Sequence, residues 1–92
     1  DLGCGISPTV YNLLLRGWRV YALDNSMQVL SELSLHLSQH QIDFEKVTLL
    51  AQNIESFELP EKVHLVIATD SLPYCNPSEL NQIFKRIKNV LY

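Results

Sequence analysis

Apolar residues along the chain alternate between two spacings, and the switches between them mark out the elements. Val10, Leu13 and Leu14 recur at helical spacing behind Ser7-Pro8, where a serine oxygen can cap free N–H groups and proline suits the first helical position. Gly17 after Arg16 ends the run, which predicts a first helix over residues 8 to 16. Trp18 to Leu23 is rich in β-favouring side chains and leads straight to Asp24, predicting a strand with a carboxylate at its carboxyl end. Helical spacing returns with Leu30, Leu33 and Leu37 behind the capping Ser26, for a second helix from Met27 to about His40. The polar stretch 41–46 reads as a loop. Val47 to Ala51 reads as a short buried strand with Gln52-Asn53 at its carboxyl end.

The second half follows the same alternation. Phe57 to Lys62, with Pro60 and its charges, is expected to be a surface connection. Val63 to Thr69 is apolar almost without a break, as a central parallel strand covered on both faces would be, and it ends at Asp70. Beyond the loop Ser71 to Cys75, Asn76-Pro77-Ser78-Glu79 supplies a cap, a proline and an acid for a last helix. Leu80, Ile83, Phe84, Ile87 and Leu91 form its apolar stripe. Lys85, Arg86 and Lys88 lie off that stripe near the end, where cations suit the helix dipole. The leucine stripes and Trp18 read as core. Strands alternating with helices predict a doubly wound α/β fold with a parallel sheet. Counting the strand that would end at Asp1 as the first, right-handed crossovers give the spatial order third, second, first, fourth. Asp1, Asp24, Asn53 and Asp70 then share the carboxyl edge of the sheet, where such folds bind ligands.

Composition narrows the classes. With 47% hydrophobic and 18% charged residues the chain is globular and not disordered. Its 92 residues are fewer than a doubly wound sheet normally needs. The expectation is an incomplete Rossmann-like domain spanning residues 1–92, with the first strand and the strands after the fourth lying outside the sequence. No apolar run reaches membrane-spanning length. A net charge of −3 without a basic stripe gives no indication of nucleic-acid binding. Cys4 and Cys75 are too few for a disulfide framework and lack metal-ligand spacing, which points to a reducing, cytoplasmic setting. His36, His40 and His64 make no ligand cluster in the sequence, so no metal is expected.

The chemistry concentrates at Asp1-Leu2-Gly3-Cys4-Gly5-Ile6-Ser7. Glycines at positions 3 and 5 can take positive φ in a tight turn and let backbone N–H groups approach a ligand. Asp24 follows at about the 20-residue distance at which an acid reaches a ribose. These residues resemble the class I S-adenosylmethionine-dependent methyltransferases, whose first motif is often Asp-Leu-Gly-Cys-Gly-x-Gly; Ser7 stands in place of the last glycine. Val20 to Ser26 resembles the second-strand motif, Gln52-Asn53-Ile54 the adenine-contacting segment, and Val63 to Asp70 the fourth strand, with His64 where the family commonly carries aspartate. The resemblance covers four segments in order across the whole chain. It implies a methyl transfer from S-adenosylmethionine to an unidentified acceptor. It further implies that Asp1, Gly3 and Gly5 hold the methionine part, Asp24 the ribose hydroxyls and Asn53 the adenine. Asp70 and Tyr74 are placed on the side expected for the acceptor and are the candidates nearest the chemistry; Asp70 is also expected at the cofactor edge.

Other readings of the same residues remain open at this point. Asp24 and Asn53 are also common turn formers, and Asp70 and Tyr74 are also suited to binding backbone and to packing. The departures at Ser7 and His64 fit a non-catalytic interaction module of the same fold. A dinucleotide-dependent oxidoreductase fits less well. Asp1 would repel a pyrophosphate, and the third glycine of that fingerprint would fall on Pro8.

Overall fold

The structure is a computed structural model that describes residues 1–5, 8–40, 42–68 and 77–92. Its elements are helix α1 (Pro8–Leu15), strand β1 (Val20–Asp24), helix α2 (Met27–Ser38), a 3-10 turn at Phe44–Lys46, strand β2 (Val47–Ala51) and helix α3 (Pro77–Val90). Strands β1 and β2 pair in parallel, from Val20 opposite Val47 to Asp24 opposite Ala51. On the other side of β1, Leu2 bridges Leu23 in parallel, and the Leu2 N–H donates to the Ile67 carbonyl at 2.8 Å. The spatial order is therefore β2, β1, residues 1–2, then the 63–68 segment, which is the order expected from right-handed crossovers.

Helices lie on both faces of this layer. Val20 and Ala22 of β1 turn to one face and pack with Cys4, with Val10 and Leu14 of α1, and with Leu30, Leu33 and Leu37 of α2. Leu23 turns to the other face and packs with Leu2, Phe57 and Ile83 of α3. The alternation along β1 thus feeds two cores, as period-two side-chain placement requires of a strand covered on both sides. The expected doubly wound α/β arrangement is present.

Five expectations need correction. Phe57, which the sequence assigns to a surface connection, is 1% exposed, its ring packed with Leu2, Leu23 and Ile83. Strand β2, expected to be buried, has no buried residue, and Thr48 and Ala51 are exposed. The segment 63–68 is not a strand. Among the described residues it makes a bridge from Val63 to Leu91 and accepts the Leu2 N–H at the Ile67 carbonyl, without a regular ladder. Trp18 is not core but 42% exposed, and β1 begins only at Val20. The reason lies in how α1 ends. Gly17, at φ 87°, donates its N–H to Leu14, and Trp18 donates to Leu13, so the tryptophan is consumed by a Schellman cap. Phe84 is likewise 54% exposed. It sits at the edge of the α3 stripe, while Ile83 occupies the narrow seam that reaches the core.

Smaller differences concern element ends. Helix α1 stops one residue earlier than expected and α2 two residues earlier, where Gln39 and His40 donate to the His36 and Leu37 carbonyls. The stretch 41–46 carries the short 3-10 turn, capped by the Asp43 carboxylate accepting the Glu45 N–H at 3.0 Å. The cap expected at Ser26 is present, its Oγ accepting the Val29 N–H at 3.2 Å. The caps expected at Ser7 and Asn76 lie outside the described residues.

Candidate functional site

The glycine turn is fastened to β1 at every step. The Asp1 nitrogen donates to the Tyr21 carbonyl at 2.6 Å, Leu23 donates to the Asp1 carbonyl at 2.9 Å, and Cys4 donates to the Leu23 carbonyl at 2.9 Å. Gly3 and Gly5 then take φ values of 62° and 54°, the left-handed region in which a side chain would be strained. A Cβ built on Gly5 would meet nothing within 4 Å. At Gly5 the turn therefore presents bare backbone to open space, which is the surface a ligand needs for close approach.

Asp24 closes the turn from the end of β1. One carboxylate oxygen accepts the Gly5 N–H at 3.1 Å and the other accepts the Ser26 N–H at 3.0 Å. The carboxylate therefore joins the glycine turn to the cap of α2. A carboxylate offers about four acceptor sites, so two bonds leave capacity for a ligand's hydroxyl groups. The main chain of Asp24 makes a third link, its carbonyl accepting the Gln52 N–H at 3.1 Å. That bond brings exposed Asn53 to the same edge, two residues beyond Ala51 and its register partner Asp24. Asn53 opens a turn of its own, its carbonyl accepting the Ser56 N–H at 3.2 Å.

The structure thus brings Gly3, Gly5, Asp24 and Asn53 together along the carboxyl edge of β1 and β2, with Asp1 at the head of the turn. Asp70 and Tyr74, with Cys75, lie outside the described residues. A cavity of about 270 Å³ lies elsewhere, between Val20 and Tyr21 on one side and Val63 to Ile67 on the other; neither Gly5, Asp24 nor Asn53 lines it. Of the described candidate site residues only Asp1 lines it, and the others stand at the open edge.

The electrostatics of the turn centre on Cys4. Its free thiol is buried between the two glycines, and burial first, the Asp24 charge second, push it up to about 11. It is a packed, unreactive thiol at neutral pH. Among the described residues no three His, Cys, Asp or Glu side chains are placed to hold a metal ion. Likewise no described helix is long and apolar enough to cross a membrane. Sequence reasoning did not anticipate that His36 and His40 meet, with ring centroids 4.8 Å apart, and that the Tyr11 ring lies tilted against His40 at the same distance. The spacing of four residues near a helix end was the available signal. Nor did it anticipate the role of Arg86, whose guanidinium reaches the loop after Asn53.

Comparison with known proteins gives the following. The family model described as "Methyltransferase domain" matches residues 1–92. An S-adenosylmethionine-dependent methyltransferase from Clostridium acetobutylicum is similar at 26% identity and a TM-score of 0.88, over 100% of this chain and 37% of that one. A protein from Pyrococcus horikoshii is similar at 26% identity and a TM-score of 0.87, over 99% of this chain and 39% of that one. The glycopeptide N-methyltransferase MtfA, solved with S-adenosylmethionine, is similar at 21% identity and a TM-score of 0.86, over 99% and 38%. This chain therefore spans well under half the length of these solved structures. No curated protein matches it.

Proposed function

The chain belongs to the methyltransferase-domain family, and on that premise we propose that residues 1–92 are part of a domain that binds S-adenosylmethionine and transfers its methyl group. The observation that carries the reading is the Asp24 carboxylate at the end of β1, bonded to Gly5 in a turn whose face is open. The likeness to solved methyltransferases supports it. The donor set fits the cofactor. Asp1 and Asp24 place negative charge at the edge, which suits a ligand carrying a sulfonium and an ammonium against one carboxylate.

When bound, that cofactor supplies a methyl on a sulfonium, so in-line attack by an acceptor lone pair breaks the methyl–sulfur bond and returns its electrons to sulfur as a neutral thioether. The residues of this chain bind and orient. Asp1, Gly3 and Gly5 hold the methionine part. Asp24 holds the ribose hydroxyls with the acceptor sites left free by Gly5 and Ser26, and Asn53 faces the adenine. Asp70 is proposed as a further cofactor-binding group and, with Tyr74, as a candidate for binding the acceptor; both lie outside the described residues. Rate enhancement in such a site comes from positioning and exclusion of water, with no covalent nucleophile on the protein. A reducing, cytoplasmic setting goes with this reading, supported by a sequence whose two cysteines are too few for a disulfide framework.

Calorimetry of the full-length protein with S-adenosylmethionine and S-adenosylhomocysteine tests this. Binding of both is expected, and a folded protein that binds neither refutes it. A second reading is favoured by one observation: His64, where the family commonly carries aspartate, stacks on Tyr92 with centroids 4.4 Å apart. That reading is a non-catalytic module of the same fold. Cofactor binding without transfer of tritiated methyl to any component of cell extract would favour it.

A further inference from the structure

Arg86 was expected to serve the dipole at the end of α3, yet its side chain does something more specific. Its Nε donates to the Glu55 carbonyl at 3.0 Å and its Nη1 to the Phe57 carbonyl at 3.1 Å. Both acceptors belong to the segment that follows Asn53. The rest of that segment is closed by its own bonds, from Ser56 to the Asn53 carbonyl at 3.2 Å and from Glu58 to Gln52 Oε1 at 2.8 Å. At one end it is tied to Asp24 through the Gln52 N–H, and at the other the Phe57 ring is buried against Leu2, Leu23 and Ile83. Ile83 stands one turn before Arg86 on α3. One helix therefore grips the segment by a ring in the core and by a guanidinium fork on its carbonyls.

We propose that Arg86 is a positioning residue for adenine recognition: its fork holds the 52–58 turn so that Asn53 stays at the ligand edge beside Asp24. The proposal rests on the reading of that edge as an S-adenosylmethionine site. Arg86 acts through the carbonyls of Glu55 and Phe57, a task for which a planar fork is pre-organised and a lysine ammonium is not.

The test compares S-adenosylhomocysteine with its analogue bearing hydrogen in place of the 6-amino group, by calorimetry on the full-length protein. One hydrogen bond from that amino group to Asn53 predicts about a tenfold preference for S-adenosylhomocysteine in the wild type. Arg86→Lys is expected to bring the ratio towards one by weakening S-adenosylhomocysteine alone. Asn53→Ala is expected to do the same, and adding Arg86→Lys to it should change the ratio no further. Amide exchange at Ser56 and Glu58 should quicken in Arg86→Lys while the core amides of β1 stay protected. If Arg86→Lys weakens both ligands by one factor, keeps the ratio, or leaves those two amides unchanged, the proposal is overturned. A wild-type protein that binds neither ligand overturns the underlying methyltransferase reading, and the adenine role with it.

Discussion

Removing the Asp24 carboxylate separates its two tasks, building the turn and binding the ligand. In Asp24→Ala the Gly5 and Ser26 N–H groups lose their acceptors at 3.1 and 3.0 Å, while the main-chain bond from Gln52 to the Asp24 carbonyl survives. Bonds to a charged acceptor are worth about 1.5–3 kcal/mol each when buried. Here the carboxylate is half-buried and both amides can turn to water, so the two together should cost about 2 kcal/mol of folding stability. Losing the ribose contacts as well should weaken S-adenosylhomocysteine by about thirtyfold, which is what 2 kcal/mol amounts to in an equilibrium constant. Asp24→Asn keeps one oxygen but sets an NH₂ against one of the two N–H donors, so it should fall close to alanine and not midway. Urea unfolding and calorimetry on the same preparations give both numbers. Stability and affinity that are unchanged in both variants would show that neither the turn nor the ligand depends on this carboxylate, and the argument for the site would fail.

The remaining predictions concern the turn and the core around it. Gly5→Ala should lower stability by only about 1 kcal/mol, since its added Cβ meets nothing within 4 Å and the cost is the left-handed φ alone; affinity for the cofactor, which needs that open space, should fall by more. Paired unfolding and binding measurements check this, and equal affinity in the variant would place the ligand elsewhere. Phe57→Ala should cost about 3–5 kcal/mol by urea unfolding, because the ring is 1% exposed and joins α3 to Leu2 and Leu23. The Cys4 thiol, raised from 9.0 to about 11, favours the folded state in its protonated form, a contribution whole below pH 9 and lost as pH rises through 11. Stability should thus fall by ~2–3 kcal/mol across that window, and Cys4→Ala should remove that part of the slope; a wild type with a flat profile there would contradict the burial argument.

Much of this fold is legible from spacing because it is set locally. β2 keeps the bounds Val47–Ala51 that its apolar run predicts, though none of its residues is buried, and Ser26 caps α2 with the oxygen that its position suggests. Leu30, Leu33 and Leu37, read as one stripe, all reach the core. Even the spatial order of the strands follows, since handedness leaves few alternatives once strands and helices alternate. The proposed ligand edge shares this legibility. An acid that ends a strand, and glycines that need positive φ, are requirements of a few bonded neighbours, and the structure meets them at Asp24, Gly3 and Gly5.

What could not be read is what depends on residues distant in the chain. Trp18 has the composition of a strand start, but whether it enters β1 is decided by Gly17, which takes it into the cap of α1. The 63–68 segment has the apolar run of a central strand, but its described pairings, Ile67 with Leu2 and Val63 with Leu91, are made with residues far away in the chain. Arg86 shows the same limit at the site. Its place on α3 is legible, but its acceptors are main-chain carbonyls about 30 residues away, and carbonyls carry no sequence signal. Side-chain identity therefore marks the groups able to touch a ligand at this edge, while the groups that hold them in place are bound through main chain. On that argument, searches for functional residues around such a turn miss positioning contacts like the one made by Arg86 more readily than contacts like those of Asp24, which start from an acid at a strand end.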